Sequence, residues 1–167
     1  TDPRKRTHTL SEIVDHADCI FLCLPTPMMA RTGKIDLSIM MSVVDEINQI
    51  KKDKNPLVVI KSTVVPGTVE KFAEDYPDMR FVFNPEFLTE RKARLDFINT
   101  SRIILGGAEE DVDFVEKIYR QKFPHTPIIK TDFSTAQLIK YMANCFFATK
   151  VSFMNEMKQI SDAVGAN

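Results

Sequence analysis

The sequence predicts an α/β protein with a mostly parallel sheet, and three observations support this fold class. Short apolar runs without polar alternation recur along the chain, as expected of strands that are covered on both faces. Segments with helical spacing of apolar residues separate these runs. The 167 residues include 44% hydrophobic and 27% charged residues, which is typical of a globular domain with a buried core. Alternating strands and helices therefore indicate a sheet built by right-handed crossovers.

Each element can be placed along the chain. A first helix is expected over 10–16, because Thr9 and Glu12 have the spacing of a capping box. Strands are expected over 19–24, 57–60, 80–83, 102–105 and 127–130. The pair Gly106-Gly107 is expected to end the fourth strand. A second helix of about fifteen residues, capped by Asp36, is expected to run to Lys51. Further helices are expected over 69–74 and 111–122.

The pattern changes from Asp132 onward. Ser134 and Gln137 have capping-box spacing, and helical character then continues to 163, with Gly165 as a C-terminal stop. A helix of roughly 30 residues would be about 45 Å long, which is more than one compact domain needs. We therefore expect two parts: a sheet unit over 1–131, and a connecting or dimerisation helix over 132–167.

The overall composition argues against several classes of function. A net charge of −1 disfavours a nucleic-acid-binding face dominated by Lys and Arg. No apolar run is long enough to cross a bilayer, and the first residues do not resemble a signal peptide. The cysteines Cys19, Cys23 and Cys145 are expected to be small core residues, and the three histidines lack metal-ligand spacing. These features predict a cytoplasmic protein without a metal, membrane or nucleic-acid partner.

The segment after the third predicted strand is the strongest candidate for chemistry. Asn84, Pro85 and Glu86 follow the apolar run, and Glu90 adds a second carboxylate four residues after Glu86. Pro85 fixes its own φ and pushes Asn84 to extended geometry. In open α/β sheets, ligands bind outside the carboxyl ends of the strands, where carboxylates can perform acid–base work or hold hydroxyl groups. The alternative is a solvated loop with ordinary surface acids.

Two further clusters follow predicted strands. The segment Leu24-Pro25-Thr26-Pro27 forms a rigid turn that offers a hydroxyl, or it simply stops the strand. The segment Lys61-Ser62-Thr63-Val64-Val65-Pro66-Gly67-Thr68 places Ser and Thr hydroxyls before a helix N-terminus, which suits an anionic or hydroxylated ligand. A helix N-cap would explain Thr68 alone, although not the whole cluster.

A fourth cluster lies on the long helix. Gln137, Lys140 and Asn144 are spaced i, i+3 and i+7, so they share one face. The surrounding residues are apolar, and a helix that is apolar nearly all round is expected to be buried. A buried lysine is rare unless it is paired, so Lys140 and Asn144 indicate a pocket. The alternative is a solvated stripe, or a lysine that extends its ammonium to water at an interface.

The four clusters, in this order and with these gaps, resemble the UDP-glucose/GDP-mannose dehydrogenase family. The motifs are Thr26-Pro27, Lys61-Ser62-Thr63-Val64 with Pro66-Gly67-Thr68, Asn84-Pro85-Glu86-Phe87-Leu88 with Glu90, and Lys140 and Asn144 before Asn155-Glu156. Asp96-Phe97 and Arg102 with Gly106-Gly107 also resemble the family. The resemblance runs from about Leu10 to Asn167. It implies a Rossmann-like fold: the second half of an NAD-binding domain, followed by a long α-helix that links to a central domain.

The resemblance implies an NAD-dependent oxidoreductase. Members of the family oxidise C6 of a nucleotide sugar, such as UDP-glucose, from alcohol to carboxylate in two hydride transfers. A cysteine traps the aldehyde, and the second oxidation gives a thioester that water hydrolyses. The implied cofactor-binding residues are Thr26, Pro27, Ser62, Thr63, Val64 and Glu90. The implied substrate-binding residues are Glu86, Phe87, Leu88, Thr89, Glu90, Lys140 and Asn144.

The resemblance also implies catalytic roles for individual residues. Glu86 would be the acid–base group for thioester hydrolysis, and Thr63 would orient the attacking water. Lys140, assisted by Asn144, would stabilise the developing alkoxide or oxyanion, as a positioned ammonium can in a water-poor site. A homodimer built partly on the long helix is also implied.

The sequence departs from the family pattern in several places. It contains no G-x-G-x-x-G, and the family's first βαβ unit and the domain with the nucleophilic cysteine are expected to lie outside it. Cys145 does not occupy the nucleophile position. Val65, Arg91 and Gln137 stand where the family often has proline, glycine and an acid. We therefore expect an internal piece of a nucleotide-sugar 6-dehydrogenase that is inactive alone. The alternative is a shortened, non-catalytic relative that serves binding or assembly.

Overall fold

Five strands form one sheet, and neighbouring strands in the sheet are consecutive along the chain, in the order β1-β2-β3-β4-β5. The computed structural model describes residues 8–51, 54–89 and 91–166. The strands are β1 (Cys19–Leu22), β2 (Leu57–Ile60), β3 (Phe81–Phe83), β4 (Ile103–Gly107) and β5 (Ile128–Thr131). The helices are α1 (Leu10–His16), α2 (Ser38–Ile50), α3 (Thr68–Asp75), α4 (Ala93–Ile98), α5 (Glu109–Arg120) and α6 (Phe133–Val164). The predicted α/β class with a long final helix is confirmed.

One strand pair departs from the parallel arrangement. The pairs β1–β2, β2–β3 and β4–β5 are parallel, whereas β3–β4 is antiparallel. The connection between β3 and β4 contains the turn 84–89 and the short helix α4, which the sequence analysis missed. The chain re-enters the sheet from the edge at which β3 ends, so β4 runs back against β3. The expectation that Gly106-Gly107 ends the fourth strand is wrong, because the two glycines pair with Phe83 and Val82.

Apolar side chains pack on both faces of the sheet. On one face, alternate strand residues pack against α1, α2, α3 and the start of α6. On the other face, the remaining strand residues pack against Val112, Val115 and Tyr119 of α5. Every residue of β2 is buried, as its continuous apolar run predicts. In the edge strand β1, by contrast, Phe21 is 37% exposed.

Two helix starts test the predicted caps. The Thr9–Glu12 capping box is confirmed, because each residue's backbone N–H donates to the other's side chain, at 2.7 and 3.2 Å. The helix expected from Asp36 begins at Ser38 instead, although the Asp36 carboxylate still accepts a 2.9 Å bond from the Ser38 N–H. Similarly, β1 ends at Leu22, before the expected boundary.

The start of α6 shows a different cap from the expected one. Asp132 is the N-cap, and its carboxylate accepts a 2.7 Å bond from the Thr135 N–H. The predicted Ser134–Gln137 capping box is wrong, because both side chains instead donate to the carboxylate of Glu70 on α3. These bonds connect α6 to α3 and fix how the long helix meets the sheet.

Close packing of α6 against β4 depends on Gly106. A Cβ atom at this position would lie 2.6 Å from the Cβ of Ala136 and 2.7 Å from the carbonyl oxygen of Asp132. The missing side chain therefore allows the first turn of α6 to approach the strand. The helix then crosses the sheet toward the carboxyl end of β3.

Most of α6 is exposed in the described part of the chain, contrary to the expectation of a buried helix. Only Ala136, Gln137 and Lys140 are buried on it. Exposed apolar side chains follow, including Phe146, Phe147, Phe153, Met154 and Met157. The expectation that all three cysteines are core residues is also wrong: Cys19 is half-buried, while Cys23 and Cys145 are exposed. Within the described ranges, no helix has the length and apolar character needed to span a bilayer.

The cap of α6 predicts an acid-sensitive junction. Hydrogen bonds from the backbone and side chain of Thr135 hold the pKa of Asp132 below its ordinary value of 3.8. Its stabilising contribution is therefore present above that value and is lost as the pH falls through the lowered folded-state pKa. Asp132→Asn keeps an acceptor without titrating. Acid unfolding followed by circular dichroism should show a smaller loss of stability below about pH 4 for Asp132→Asn than for the wild type. Asp132→Ala should be destabilised at every pH, and identical acid profiles for all three proteins would contradict the prediction.

Candidate active site

The ends of three strands meet at one edge of the sheet. Because β1, β2 and β3 are parallel, their carboxyl ends lie together, and antiparallel β4 begins at the same edge. Hydrogen bonds connect the segments that follow β1 and β2: the Leu24 N–H donates to the Ser62 hydroxyl at 2.7 Å, and the Thr26 hydroxyl donates to the Thr63 carbonyl at 2.9 Å. The structure therefore brings the first two predicted clusters together.

The hydroxyl groups in these clusters have internal partners. Ser62 is buried, and its hydroxyl also donates to the Leu22 carbonyl at 3.3 Å, so this side chain connects the ends of β1 and β2. Val64 packs in the core. Thr68 is not the N-cap of α3: Gly67 occupies that position with φ of 93°, and the Thr68 hydroxyl donates to the Val65 carbonyl at 2.7 Å. A ligand at this edge would therefore meet Thr63 and main-chain groups more readily than the Ser62 hydroxyl.

The turn after β3 is held at its far end by Asp96 of α4. The backbone N–H of Thr89 donates to the Asp96 carboxylate at 2.8 Å, and the Thr89 hydroxyl donates to the same oxygen at 2.5 Å. These bonds hold the pKa of Asp96 below its ordinary value. Glu86, Phe87 and Leu88 are half-buried between this anchor and the strand. The solvated-loop alternative does not describe 84–88, while Glu90 lies outside the described residues.

Lys140 of α6 reaches the same turn. Its ammonium donates a hydrogen bond to the main-chain carbonyl of Glu86, and its side chain is 6% exposed. Two cations lie close to the Phe87 ring, with the Lys140 Nζ 5.4 Å and the Arg102 guanidinium carbon 4.8 Å from its centroid. Burial lowers the pKa of Lys140, and the charge of Glu86 opposes that shift. Lys140 is therefore buried and partnered, and the solvated-stripe alternative is wrong for it. Its role at a binding pocket stays a prediction.

The other polar residues on this face of α6 have different environments. Gln137 is fully buried; its amide oxygen accepts from the Val69 N–H at 3.2 Å, and its amide nitrogen donates to Glu70 at 2.6 Å. Asn144 lies one turn beyond Lys140, on the exposed part of the helix. The structure thus places Lys140 at the turn and leaves Asn144 at the surface.

A buried network behind the turn was missed by sequence reasoning. Asn84 is 2% exposed, and its amide oxygen accepts from the Lys61 ammonium at 3.0 Å and from the Tyr119 hydroxyl. Tyr119 comes from α5, on the opposite face of the sheet from α6. Burial raises the pKa of Tyr119 and lowers that of Lys61. Nothing in the spacing along the chain relates these three residues.

The edge of the sheet where these strands end is polar in character. The Glu86 carboxylate lies near enough to the ammonium groups of Lys61 and Lys140 to influence the pKa of each. Over the described ranges, no group of three or more His, Cys, Asp or Glu side chains could hold a metal ion. The arrangement can orient a hydroxylated ligand, stabilise a developing negative charge and move a proton.

Comparison with known proteins gives consistent results along the whole chain. UDP-glucose 6-dehydrogenase of Rickettsia bellii is 36% identical over 169 residues, which cover 98% of this chain and 38% of the relative. GDP-mannose 6-dehydrogenase of Pseudomonas syringae pv. tomato is 32% identical and covers 100% of this chain and 40% of the relative. The crystal structure of a GDP-mannose dehydrogenase ternary complex from Pseudomonas aeruginosa superposes with a TM-score of 0.83 at 33% identity, over 94% of this chain and 38% of that one.

The chain therefore spans about two fifths of the length of these relatives. Residues 4–123 match the NAD-binding domain of the UDP-glucose/GDP-mannose dehydrogenase family, and residues 134–167 match its central domain. The mostly parallel sheet and the long final helix agree with the fold that the resemblance implies. The chain belongs to the UDP-glucose/GDP-mannose dehydrogenase family.

Proposed function

We propose that the full-length protein oxidises the C6 alcohol of a nucleotide sugar to the carboxylate through a thioester, with NAD as the oxidant and UDP-glucose as the favoured substrate. The observation that carries the proposal is the buried Lys140 ammonium, which donates to the Glu86 turn at the edge where the strands end. Burying a charge is costly unless it has partners or a function, so this lysine is a strong candidate for catalysis.

The residues at the strand ends fit one side of a dinucleotide. Thr26, Pro27, Thr63 and the main chain of Ser62 and Val64 would line the NAD. NAD supplies the acceptor for hydride when it is bound. The chain contains no G-x-G-x-x-G, so the loop that normally cradles the pyrophosphate is not among its residues. Glu90 completes the proposed cofactor contacts.

The turn after β3 would hold the sugar. Main-chain groups from Phe87 to Glu90 would contact the substrate, and Lys140 would stabilise negative charge on the C6 oxygen. Glu86 would accept a proton from the water that hydrolyses the thioester, with Thr63 orienting that water. Asn144 would assist Lys140 once the substrate and the rest of the central domain cover the helix.

The main test uses the protein expressed from its complete gene. With UDP-glucose or GDP-mannose and NAD, the proposal expects two NADH per sugar and a uronate product, measured by absorbance and mass spectrometry. Failure of the purified, folded protein to oxidise either nucleotide sugar would contradict the proposal for these substrates.

A shortened relative that only binds or assembles is the second candidate. The mass of the native polypeptide, or the coding sequence on either side, distinguishes the two. An oxidoreductase needs segments for the Gly-rich loop and for the nucleophilic cysteine. A native polypeptide of only these 167 residues would favour the non-catalytic candidate.

The isolated chain should not bind NAD tightly. Its strand ends offer hydroxyl and main-chain contacts, but the anion-binding loop that contributes much of dinucleotide affinity is not part of its sequence. Isothermal titration calorimetry with the 167-residue chain should show a Kd weaker than roughly 1 mM, equivalent to a binding free energy of about −4 kcal/mol. Micromolar binding would show that the loop is dispensable.

The exposed apolar surface of α6 should form part of a homodimer interface in the full-length protein. Phe146, Phe147 and Phe153 are 57–65% exposed, and contiguous apolar patches of this kind are typical of protein interfaces. Multi-angle light scattering should therefore give a dimer for the wild type, and Phe153→Glu should weaken it. Phe114→Glu, at an exposed phenylalanine of α5, is the matched control. A wild-type monomer at high concentration would contradict the prediction.

A further inference from the structure

Asn84 takes over the role of a strand residue at the point where β3 leaves the sheet. Its N–H donates to the Ile60 carbonyl of β2 at 2.9 Å, which extends the pairing by one residue. On the other side, its side-chain amide donates to the Ile104 carbonyl of β4 at 2.9 Å. The next residue, Pro85, is buried and has no N–H, so the ladder cannot continue. The Asn84 side chain therefore supplies the hydrogen-bond donor for the Ile104 carbonyl of β4, while the main chain leaves the sheet.

The amide oxygen of Asn84 is fixed by residues from two other elements. Lys61, directly after β2, donates to it at 3.0 Å and to the Tyr119 hydroxyl at 3.3 Å. Tyr119, from α5, donates to the same amide oxygen. The Asn84 side chain thus makes three hydrogen bonds, one to the Ile104 carbonyl and two at its amide oxygen. Of the two donors to that oxygen, Tyr119 is buried and Lys61 is half-buried. A satisfied buried network of this kind makes one local geometry rigid.

The Lys61 ammonium also interacts electrostatically with the turn that carries Glu86. Among the described residues, none of the ion pairs involves it, and its two acceptors are neutral oxygens. Burial lowers its pKa, the Lys140 charge lowers it further, and the charge of Glu86 opposes that shift. The turn that carries Glu86 therefore lies near two ammonium groups, those of Lys61 and Lys140.

We propose that Lys61 and Tyr119 are positioning residues that act through Asn84 to aim the Glu86 carboxylate. Only Pro85 lies between Asn84 and Glu86 in the chain, and it restricts one of the intervening torsions. The network fixes the start of the turn, as Asp96 fixes its end through Thr89. This proposal rests on the proposed function for its catalytic consequence, whereas the rigidity of the turn can be measured without it.

Tyr119→Phe is the decisive variant, because it removes one hydroxyl and keeps the ring. In the full-length protein, assayed with UDP-glucose and NAD, kcat should fall about tenfold, as expected for the loss of one buried hydrogen bond. KM for both substrates should stay within about twofold, because the variant changes the orientation of the Glu86 carboxylate and not the contacts that bind the substrates. Acyl-enzyme should accumulate, as seen by intact mass, to a smaller extent than in Glu86→Gln.

Tyr76→Phe is the matched control, because the Tyr76 hydroxyl donates to Asp45 at an exposed contact between α3 and α2. It should leave kcat and acyl-enzyme at wild-type levels. Hydrogen–deuterium exchange provides an arm that does not depend on activity: amides of 84–89 should exchange at least about fivefold faster in Tyr119→Phe and not in Tyr76→Phe.

The outcomes separate the two proposals. A wild type that does not oxidise nucleotide sugars would refute the proposed function, while faster exchange of the turn in Tyr119→Phe would still support positioning. Unchanged exchange of the turn would overturn the positioning proposal, whatever the activity. So would a loss of kcat without acyl-enzyme accumulation in a protein whose Glu86→Gln variant does accumulate it.

Discussion

Replacing Lys140 with alanine should lower kcat of the full-length enzyme by about 10²–10³-fold, the typical cost of losing one preorganised donor. The buried ammonium donates to the Glu86 carbonyl, and under the proposed function it acts most on charge that develops in the transition state. The loss should therefore appear in kcat more than in KM. Steady-state NADH formation from UDP-glucose measures both constants.

Two variants sharpen this test. Lys140→Arg should not restore activity fully, because a planar guanidinium fork does not reproduce a compact ammonium in the same space. Lys130→Ala is the matched control, since that lysine pairs with Asp113 and Glu116 at the surface. A near-normal kcat for Lys140→Ala, with the fold intact by circular dichroism, would contradict the catalytic role of this lysine.

Gly106→Ala should destabilise the chain by about 2 kcal/mol. Removing a glycine from a strand normally gains roughly 0.5–1 kcal/mol through backbone entropy. Here the new methyl would contact Ala136 at 2.6 Å and a main-chain oxygen of Asp132 at 2.7 Å, and overpacking of a core typically costs about 1–3 kcal/mol. Overpacking is the larger effect because the oxygen belongs to the backbone and cannot rotate away. Urea unfolding of the chain measures the difference.

A double-mutant cycle identifies the cause of this loss. Ala136→Gly removes the methyl that the new side chain would meet, so Gly106→Ala should cost less in the Ala136→Gly background than in the wild type. Rescue should be partial, since the Asp132 oxygen remains. An additive double mutant would show that the close approach of α6 to β4 is not what Gly106 protects.

The sequence predicts the ends of β2 and β3 well, the ends of β1 and β4 less well, and distant partners poorly. Continuous apolar runs locate β2 and β3, and polar residues directly after them locate the site edge, because both signals are local. Asn84 was recognised as part of the turn, yet its partners Lys61 and Tyr119 are 23 and 35 residues away. No periodicity connects residues at such separations, so their network becomes visible only in three dimensions.

The helix α6 shows how one local signal can mislead in two ways. Ser134 and Gln137 have capping-box spacing, but Asp132 lies at the true N-cap and Glu70 from another element takes both side chains. The apolar residues beyond Lys140 suggested burial in this chain. An apolar composition indicates that a helix surface packs against something. It does not indicate whether the packing partner is part of the same stretch of sequence.

The hydrogen bond from Lys140 to residue 86 has a practical consequence for genetics at that position. Its acceptor is the main-chain carbonyl, which every amino acid supplies. Replacing Glu86 with glutamine, alanine or aspartate therefore leaves the anchor of the lysine in place. Substitutions at residue 86 other than glycine and proline should therefore report on loss of the carboxylate, including its charge effect on Lys140, without loss of the lysine's anchor. Substitutions at residue 140 remove the ammonium and leave the carboxylate in the chain, so the two sets of phenotypes can be compared.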